Sequence, residues 1–104
     1  MDKVLKDKEM LIDKLDLINK ELLDATIVYR ELKSQLWIDT DWIDAVGKSK
    51  PTVDEKKSYI AIETLKAYED KLRAEHKKEI ILYQIDLCND KLSVLLWVIY
   101  ICFL

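Results

Sequence analysis

The sequence predicts an all-α protein: a long antiparallel helical hairpin, coiled-coil-like, that assembles into an oligomeric helix bundle. Its 104 residues include one glycine and one proline, and only long helices need so few turn residues. Both lie in one stretch, Val46 to Thr52, which therefore marks a single reversal of the chain. On either side, apolar residues recur at intervals of three and four, the spacing of helices that pack against one another.

Length and composition fit one domain. Apolar residues make up 50% of the chain and charged residues 36%, a balance that excludes a disordered polypeptide. The formal net charge of −3 provides no overall attraction to nucleic acid. We predict a single domain over 1–104, with a helix over about 2–37, a turn with a short helix over about 38–51, and a long helix over about 53–104.

The first predicted helix holds a heptad seam for more than three heptads. Additional apolar residues, among them Ile12 and Leu23, widen this stripe, as is typical of bundles with three or more helices. We therefore expect the seam to contribute to an oligomer, chiefly through Leu15, Ile18, Leu22 and Tyr29. The complete seam is Leu11, Leu15, Ile18, Leu22, Ala25, Tyr29, Leu32 and Leu36.

The bend contains recognisable helix caps. Thr40 or Asp41 is predicted to cap a short helix over 42–46, which Gly47 ends in a left-handed conformation. Thr52 and Glu55 have the spacing of a capping box that begins the next helix. The bend is thus explained by local backbone chemistry.

Sites for cofactors, metals or catalysis are not predicted. Gly47-Lys48-Ser49 matches only the end of a phosphate-binding loop, because Trp42 occupies the earlier glycine position. The aspartates before the bend fail the calcium-loop spacing, since Lys50 stands where the bidentate glutamate belongs. His76 is the only histidine, so neither a catalytic triad nor a zinc site can be assembled around it. We expect no enzymatic activity.

Two tryptophans flank an acidic turn beside the bend, and two interpretations stay open. They either plug the end of the bundle or anchor a partner protein, since tryptophan-rich clusters make good anchors. Lysines after Gly47 would then steer the partner electrostatically. The predicted partner-binding residues are Trp37, Ile38, Asp41, Trp42, Lys48 and Lys50.

In the second predicted helix the apolar pattern changes register. A first seam consists of Ala61, Leu65, Tyr68 and Leu72, and the polar stretch 73–79 then interrupts it as a stutter. The second seam consists of Ile81, Ile85, Cys88, Leu92, Leu95, Ile99 and Cys102.

The C-terminal segment 92–104 carries no charge, and an exposed helix that is apolar all round is not stable in water. Self-association would cover it, and we expect Leu92, Leu95, Trp97, Ile99 and Cys102 to take part. Membrane insertion or surface docking is the alternative, although 13 residues span only about 20 Å of the ~30 Å hydrocarbon core. Cys88 and Cys102 are too far apart on one helix to form a disulfide, and we expect two buried thiols in a reducing compartment.

The segment Leu36 to Ile60, "LWIDTDWIDAVGKSKPTVDEKKSYI", resembles short uncharacterised helical proteins of phages and prophages of Gram-positive bacteria. They share the tryptophan-threonine-aspartate turn and the "GKxKPT" bend between two long helices, but their ends are more polar. The resemblance implies a small viral accessory protein in the bacterial cytoplasm, with membrane association left open. The residues that carry it are Trp37, Thr40, Asp41, Trp42, Gly47, Lys48, Pro51, Thr52, Glu55, Lys56 and Tyr59.

These observations favour a non-enzymatic coiled-coil oligomer that binds another protein. Blocking a host defence complex such as CRISPR is one concrete version, and assisting phage recombination is another. Two alternatives remain: a small membrane-associated protein anchored by 92–104, and a weak nucleic-acid binder that uses the Lys48–Lys57 face.

Overall fold

The structure, a computed structural model, describes residues 1–103. It contains four helices over this range: α1 (Asp2–Asp39), α2 (Trp42–Val46), α3 (Val53–Glu63) and α4 (Leu65–Cys102). No strand occurs among the described residues, so the predicted all-α class is confirmed. Leu104, the last residue of the predicted second helix, lies outside the described residues.

The helices form two compact units, residues 1–21 with 75 onward and residues 22–74. In the first unit, Lys77 Nζ of α4 lies 3.4 Å from Glu21 Oε1 of α1. Val4, near the start of α1, lines a groove with Leu95, near the end of α4. The two helices therefore run antiparallel in this unit, as predicted.

In the second unit, the end of α1 pairs with the chain that returns after the bend. The rings of Tyr29 in α1 and Tyr68 in α4 lie 5.6 Å apart, with their planes at 48°. Closer to the bend, Trp37 of α1 contacts Trp42 of α2, which contacts Tyr59 of α3. This unit is also an antiparallel helical pair.

The half-buried positions of α1 follow the predicted seam. All eight predicted residues from Leu11 to Leu36 are half-buried, and Val4 and Lys8 extend the same heptad spacing towards the N-terminus. The α1 seam is therefore confirmed.

The first seam predicted for the second half of the chain is wrong. Its members Ala61, Leu65, Tyr68 and Leu72 are all exposed. The covered residues lie at alternating intervals of four and three, which continue without a shift through the polar stretch 73–79. They are Ile60, Thr64, Ala67, Lys71, Ala74, Lys78, Ile81, Ile85, Cys88, Leu92 and Leu95, and Glu75, next to Ala74, is the one further half-buried residue of this stretch.

Two lysines explain this error. Lys71 and Lys78 occupy seam positions and are half-buried, because the alkyl part of a lysine packs on apolar surface while its ammonium stays in water. Lys71 places its ammonium 5.6 Å from the centre of the Tyr29 ring, an arrangement that favours a cation. The polar stretch thus belongs to the seam, and α4 is continuous through it.

A local interruption occurs at Thr64, between α3 and α4, where a single helix was predicted. Thr64 is 2% exposed, and its hydroxyl donates a hydrogen bond to the Ile60 carbonyl at 2.6 Å. The same carbonyl accepts the Thr64 backbone N–H at 2.9 Å. A side chain that bonds back to the preceding turn distorts a helix locally, and Thr64 accordingly has φ −101° and ψ 5°.

The corrected seam can be tested with two alanine substitutions five residues apart. Ile60 is 3% exposed and Leu65 is 53% exposed. Ile60→Ala should therefore lower the free energy of unfolding by about 2–4 kcal/mol, whereas Leu65→Ala should cost less than about 1 kcal/mol. Urea unfolding followed by circular dichroism measures both. A larger loss at Leu65 would restore the seam predicted from the sequence.

Candidate functional site

The bend is built from two sets of local hydrogen bonds, and the first ends α2. Asp41 caps this helix because its Oδ1 accepts the Asp44 N–H at 3.4 Å. Gly47 ends it with φ 76°, donating its N–H to the Ile43 carbonyl at 2.9 Å. A Cβ at Gly47 would meet nothing within 4 Å, so backbone conformation and not space requires glycine here. The predicted Asp41 and Gly47 caps are confirmed.

The second set begins α3, and it is the predicted capping box. Thr52 Oγ1 accepts the Glu55 N–H at 3.2 Å, and Glu55 Oε1 accepts the Thr52 N–H at 3.4 Å. Lys48 Nζ donates to the same Glu55 oxygen at 3.2 Å. Lys48, predicted to steer a partner, thus ties the chain before Pro51 to the first turn of α3.

The electrostatics of the capping box follow from these contacts. The pKa of the Glu55 carboxyl lies below its ordinary value, mainly because Lys48 donates a hydrogen bond to it. Partial burial opposes this shift, and the Thr52 hydrogen bonds support it. The box is therefore strongest when Glu55 is ionised.

Aromatic rings form a cluster across the bend. Trp42 lies 5.5 Å from Trp37 and 5.7 Å from Tyr59 between ring centres, the second contact being edge-to-face. The Lys56 ammonium lies 5.6 Å from the centre of the Trp42 ring. Both tryptophans are half-buried, because part of each ring is covered by contacts between α1, α2 and α3.

The exposed apolar side chains of the bend are aliphatic. Ile38, Ile43 and Val53 expose 80%, 57% and 59% of their surface. Ile38 and Ile43 belong to the apolar cluster that the sequence predicted beside the bend, whereas Val53 was not predicted. The sequence does contain a signal for Val53, since it is an apolar residue directly after the helix cap Thr52.

The charged members of the predicted site have different environments. Asp41 caps α2, and Lys48 forms an ion pair with Glu55. Lys50 is exposed. Of the basic face proposed for nucleic acid, Lys48 and Lys56 therefore make contacts within the bend.

A shallow groove of about 410 Å³ between α2 and α3 was not anticipated. Its apolar wall includes Ile62, which is 72% exposed, and its rim carries two carboxylates. The lining residues are Ala45, Val46, Asp54, Glu55, Ser58, Tyr59 and Ile62.

The residues predicted for oligomerisation divide into two groups. Leu15, Ile18, Leu22, Tyr29, Leu92 and Leu95 are half-buried, since they lie on the helix pairs of the chain itself. Trp97, Ile99 and Cys102 are exposed.

The C-terminal part of α4 exposes apolar surface all round. Trp97 packs edge-to-face on Tyr100 at 5.9 Å, yet they expose 63% and 59% of their surface. Cys88 is buried as expected, whereas Cys102 is exposed, because it lies beyond Leu95, which faces Val4 of α1. None of the helices in residues 1–103 is both long and apolar enough to cross a membrane.

Comparison with protein-family models, with curated proteins and with solved structures found no match for this chain. Within the described part, no group of three or more His, Cys, Asp or Glu side chains is placed to hold a metal ion. The candidate sites are therefore the bend cluster (Trp37, Ile38, Trp42, Ile43, Val53 and Tyr59) and the exposed C-terminal segment of α4.

The Glu55 interaction predicts a pH dependence that the variant Glu55→Gln lacks. Since folding lowers the pKa of Glu55, its contribution to stability is complete above the ordinary value of 4.5 and is lost as the pH falls through the lowered value. Wild type should be the more stable protein at pH 7, and the difference should disappear in acid. Thermal unfolding at pH 7, 5 and 3 measures this.

Salt provides the control. The Lys48–Glu55 pair is exposed, so high salt at pH 7 should reduce the same difference. If the difference in stability between wild type and Glu55→Gln is the same at pH 3 as at pH 7, the effect comes from the shape of the glutamate side chain and not from its charge.

Proposed function

We propose that this chain is a non-enzymatic interaction protein: several copies associate through the outer surfaces of α1 and α4, and the bend cluster binds a partner protein. The observation that carries the proposal is the distribution of apolar residues. Only Ile60, Thr64, Ala74, Ile81 and Cys88 are buried among the described residues, although half of the chain is apolar. A surface of this kind marks interaction sites.

The accessible surface supports association between copies. The chain exposes 8131 Å², whereas a compact folded monomer of 12.3 kDa exposes about 6,100 Å². The excess of about 2,000 Å² matches what one subunit of an obligate homodimer covers, roughly 1,000–2,500 Å². Self-association would thus bring the exposed surface into the ordinary range.

The biological setting rests on the resemblance of the segment Leu36 to Ile60 to phage and prophage proteins. It favours a small viral accessory protein in the cytoplasm of a bacterial host. A helical oligomer without a catalytic centre suits the inhibition of a host defence complex, such as a CRISPR complex, or assistance in phage recombination.

Light scattering on the full chain tests self-association. We expect a mass of at least twice 12.3 kDa for wild type. Ile99→Asp, at a position 43% exposed, should lower that mass, because an isolated charge cannot be buried in an apolar interface without a large cost. The matched control Ile62→Asp, on α3, should leave it unchanged. A wild-type mass of 12.3 kDa at every concentration would contradict the proposal.

Partner binding at the bend is tested by a pull-down from a bacterial host with two kinds of variant. Ile38→Asp changes an exposed side chain and should abolish capture of the partner while leaving the thermal midpoint near that of wild type. Trp42→Ala removes a ring packed between Trp37 and Tyr59 and should cost about 2 kcal/mol of stability. Full capture by the folded Ile38→Asp protein would exclude this part of the bend as the binding surface.

A further inference from the structure

A groove runs between α1 and α4 in the first unit and consists of two continuous sections. The first, of about 280 Å³, lies beside Lys14. The second, of about 480 Å³, lies beside Val94 and Leu95, nearer the end of α4. Leu87 and Lys91 border both sections, so the two form one groove. Its volume falls in the range of small-molecule sites, about 300–1,000 Å³.

The first section carries a positive balance of charge. Lys14 and Lys91 are exposed on its border, and Asp7 is the single carboxylate that lines it. Neither lysine forms an ion pair with another described residue. An apolar helix placed over this section would cover two ammonium groups without giving them a partner, which is costly. An anionic group would instead form charge-assisted hydrogen bonds with both.

The second section is apolar, apart from Asp90 and Lys91 on its border. Val98, 52% exposed, lies one turn beyond Val94 and extends the apolar wall along the exposed end of α4. From Leu87 to Val98 the helix rises about 16 Å. This is close to the length of one acyl chain, since two chains end to end fill the ~30 Å hydrocarbon core of a bilayer. The apolar lining residues are Val4, Leu87, Val94 and Leu95.

We propose that this groove binds one molecule of a single-chain amphiphile with an anionic head group, such as a fatty acid. The carboxylate lies between Lys14 and Lys91, and the chain follows Leu87 and Val94 towards the end of α4. Small-molecule sites are mostly apolar, and a few placed polar groups fix the orientation of the ligand. The inference is separate from the proposed self-association, and it assigns a small-molecule ligand to the chain.

Titration calorimetry of the full-length chain tests binding, with dodecanoate as the probe below its critical micelle concentration. We expect saturable binding of one molecule per chain. Decanoate, two methylenes shorter, should bind about fourfold more weakly, because a groove open on one side covers about half of each methylene. Dodecyltrimethylammonium has the same chain and a cationic head. It should bind at least about tenfold more weakly, since it brings a like charge to the two lysines.

Two double variants test the position of the head group. Lys14→Gln/Lys91→Gln should weaken dodecanoate binding about tenfold, because two exposed charge contacts are lost. The matched control Lys20→Gln/Lys66→Gln removes the same charge at exposed positions outside the groove and should bind dodecanoate as wild type does. Equal affinities of the two double variants would overturn the assignment of the lysines.

Two single variants test the position of the chain. Val94→Asp should abolish dodecanoate binding, because it places a charge in the apolar wall. The matched control Leu82→Asp changes a residue of α4 that is 41% exposed and lies outside the groove, so it should leave the affinity unchanged. Circular dichroism before titration establishes that the helices of both variants are intact.

Cys88 provides a second readout in a chain that carries Cys102→Ser. Cys88 is 7% exposed and borders the first section of the groove, so bound dodecanoate should slow its alkylation by iodoacetamide. Half-protection should occur at the dodecanoate concentration that half-saturates the calorimetric signal. An alkylation rate that saturating dodecanoate leaves unchanged would overturn the proposed position of the carboxylate.

Three other results would overturn the inference. If monomeric dodecanoate shows no saturable binding, the ligand is wrong, and capture of the chain only by phosphatidylcholine vesicles would assign the surface to a membrane instead. Equal affinities for dodecanoate and dodecyltrimethylammonium would exclude recognition of the anionic head. An unchanged affinity in folded Val94→Asp would exclude the groove as the site.

Discussion

The seam between α1 and the returning chain is the interaction on which the rest of the structure depends. Buried residues in both units belong to it, and the bend serves to bring its two sides together. The seam is narrow, one residue in every three or four, so most apolar side chains of α1 and α4 remain outside it. Such a chain folds around a thin core and leaves a large apolar surface exposed.

The bend shows which features can be predicted from sequence. Its caps depend on hydrogen bonds between residues three or four positions apart, and Asp41, Gly47, Thr52 and Glu55 could be assigned from residue type and spacing. The aromatic cluster could be predicted only in part. Trp37 and Trp42 are close in the chain, but the contact with Tyr59 depends on how α3 returns, which local chemistry does not determine.

The two seams differ in how well the sequence predicts them. On α1, the seam positions are almost all apolar, so periodicity identifies them directly. After the bend, the seam includes the polar residues Thr64, Lys71 and Lys78. The apolar residues Leu65 and Leu72 are exposed, but their spacing is that of a seam and misled the prediction. Burial of the long alkyl part of lysine is a tertiary effect. The register of the seam after the bend can therefore be assigned only when the position of α1 is known.

The unbroken heptad spacing also limits how this protein can change in length during evolution. A deletion of one residue in α1 rotates everything beyond it by about 100° and moves the seam away from its partner. Loss of seven residues preserves the seam but shortens one helix by about 10 Å, which leaves seven residues of the opposite helix uncovered. Because the capped bend holds the register, a change in length keeps both the seam and the helix pairing only when a heptad is gained or lost on each side of the bend.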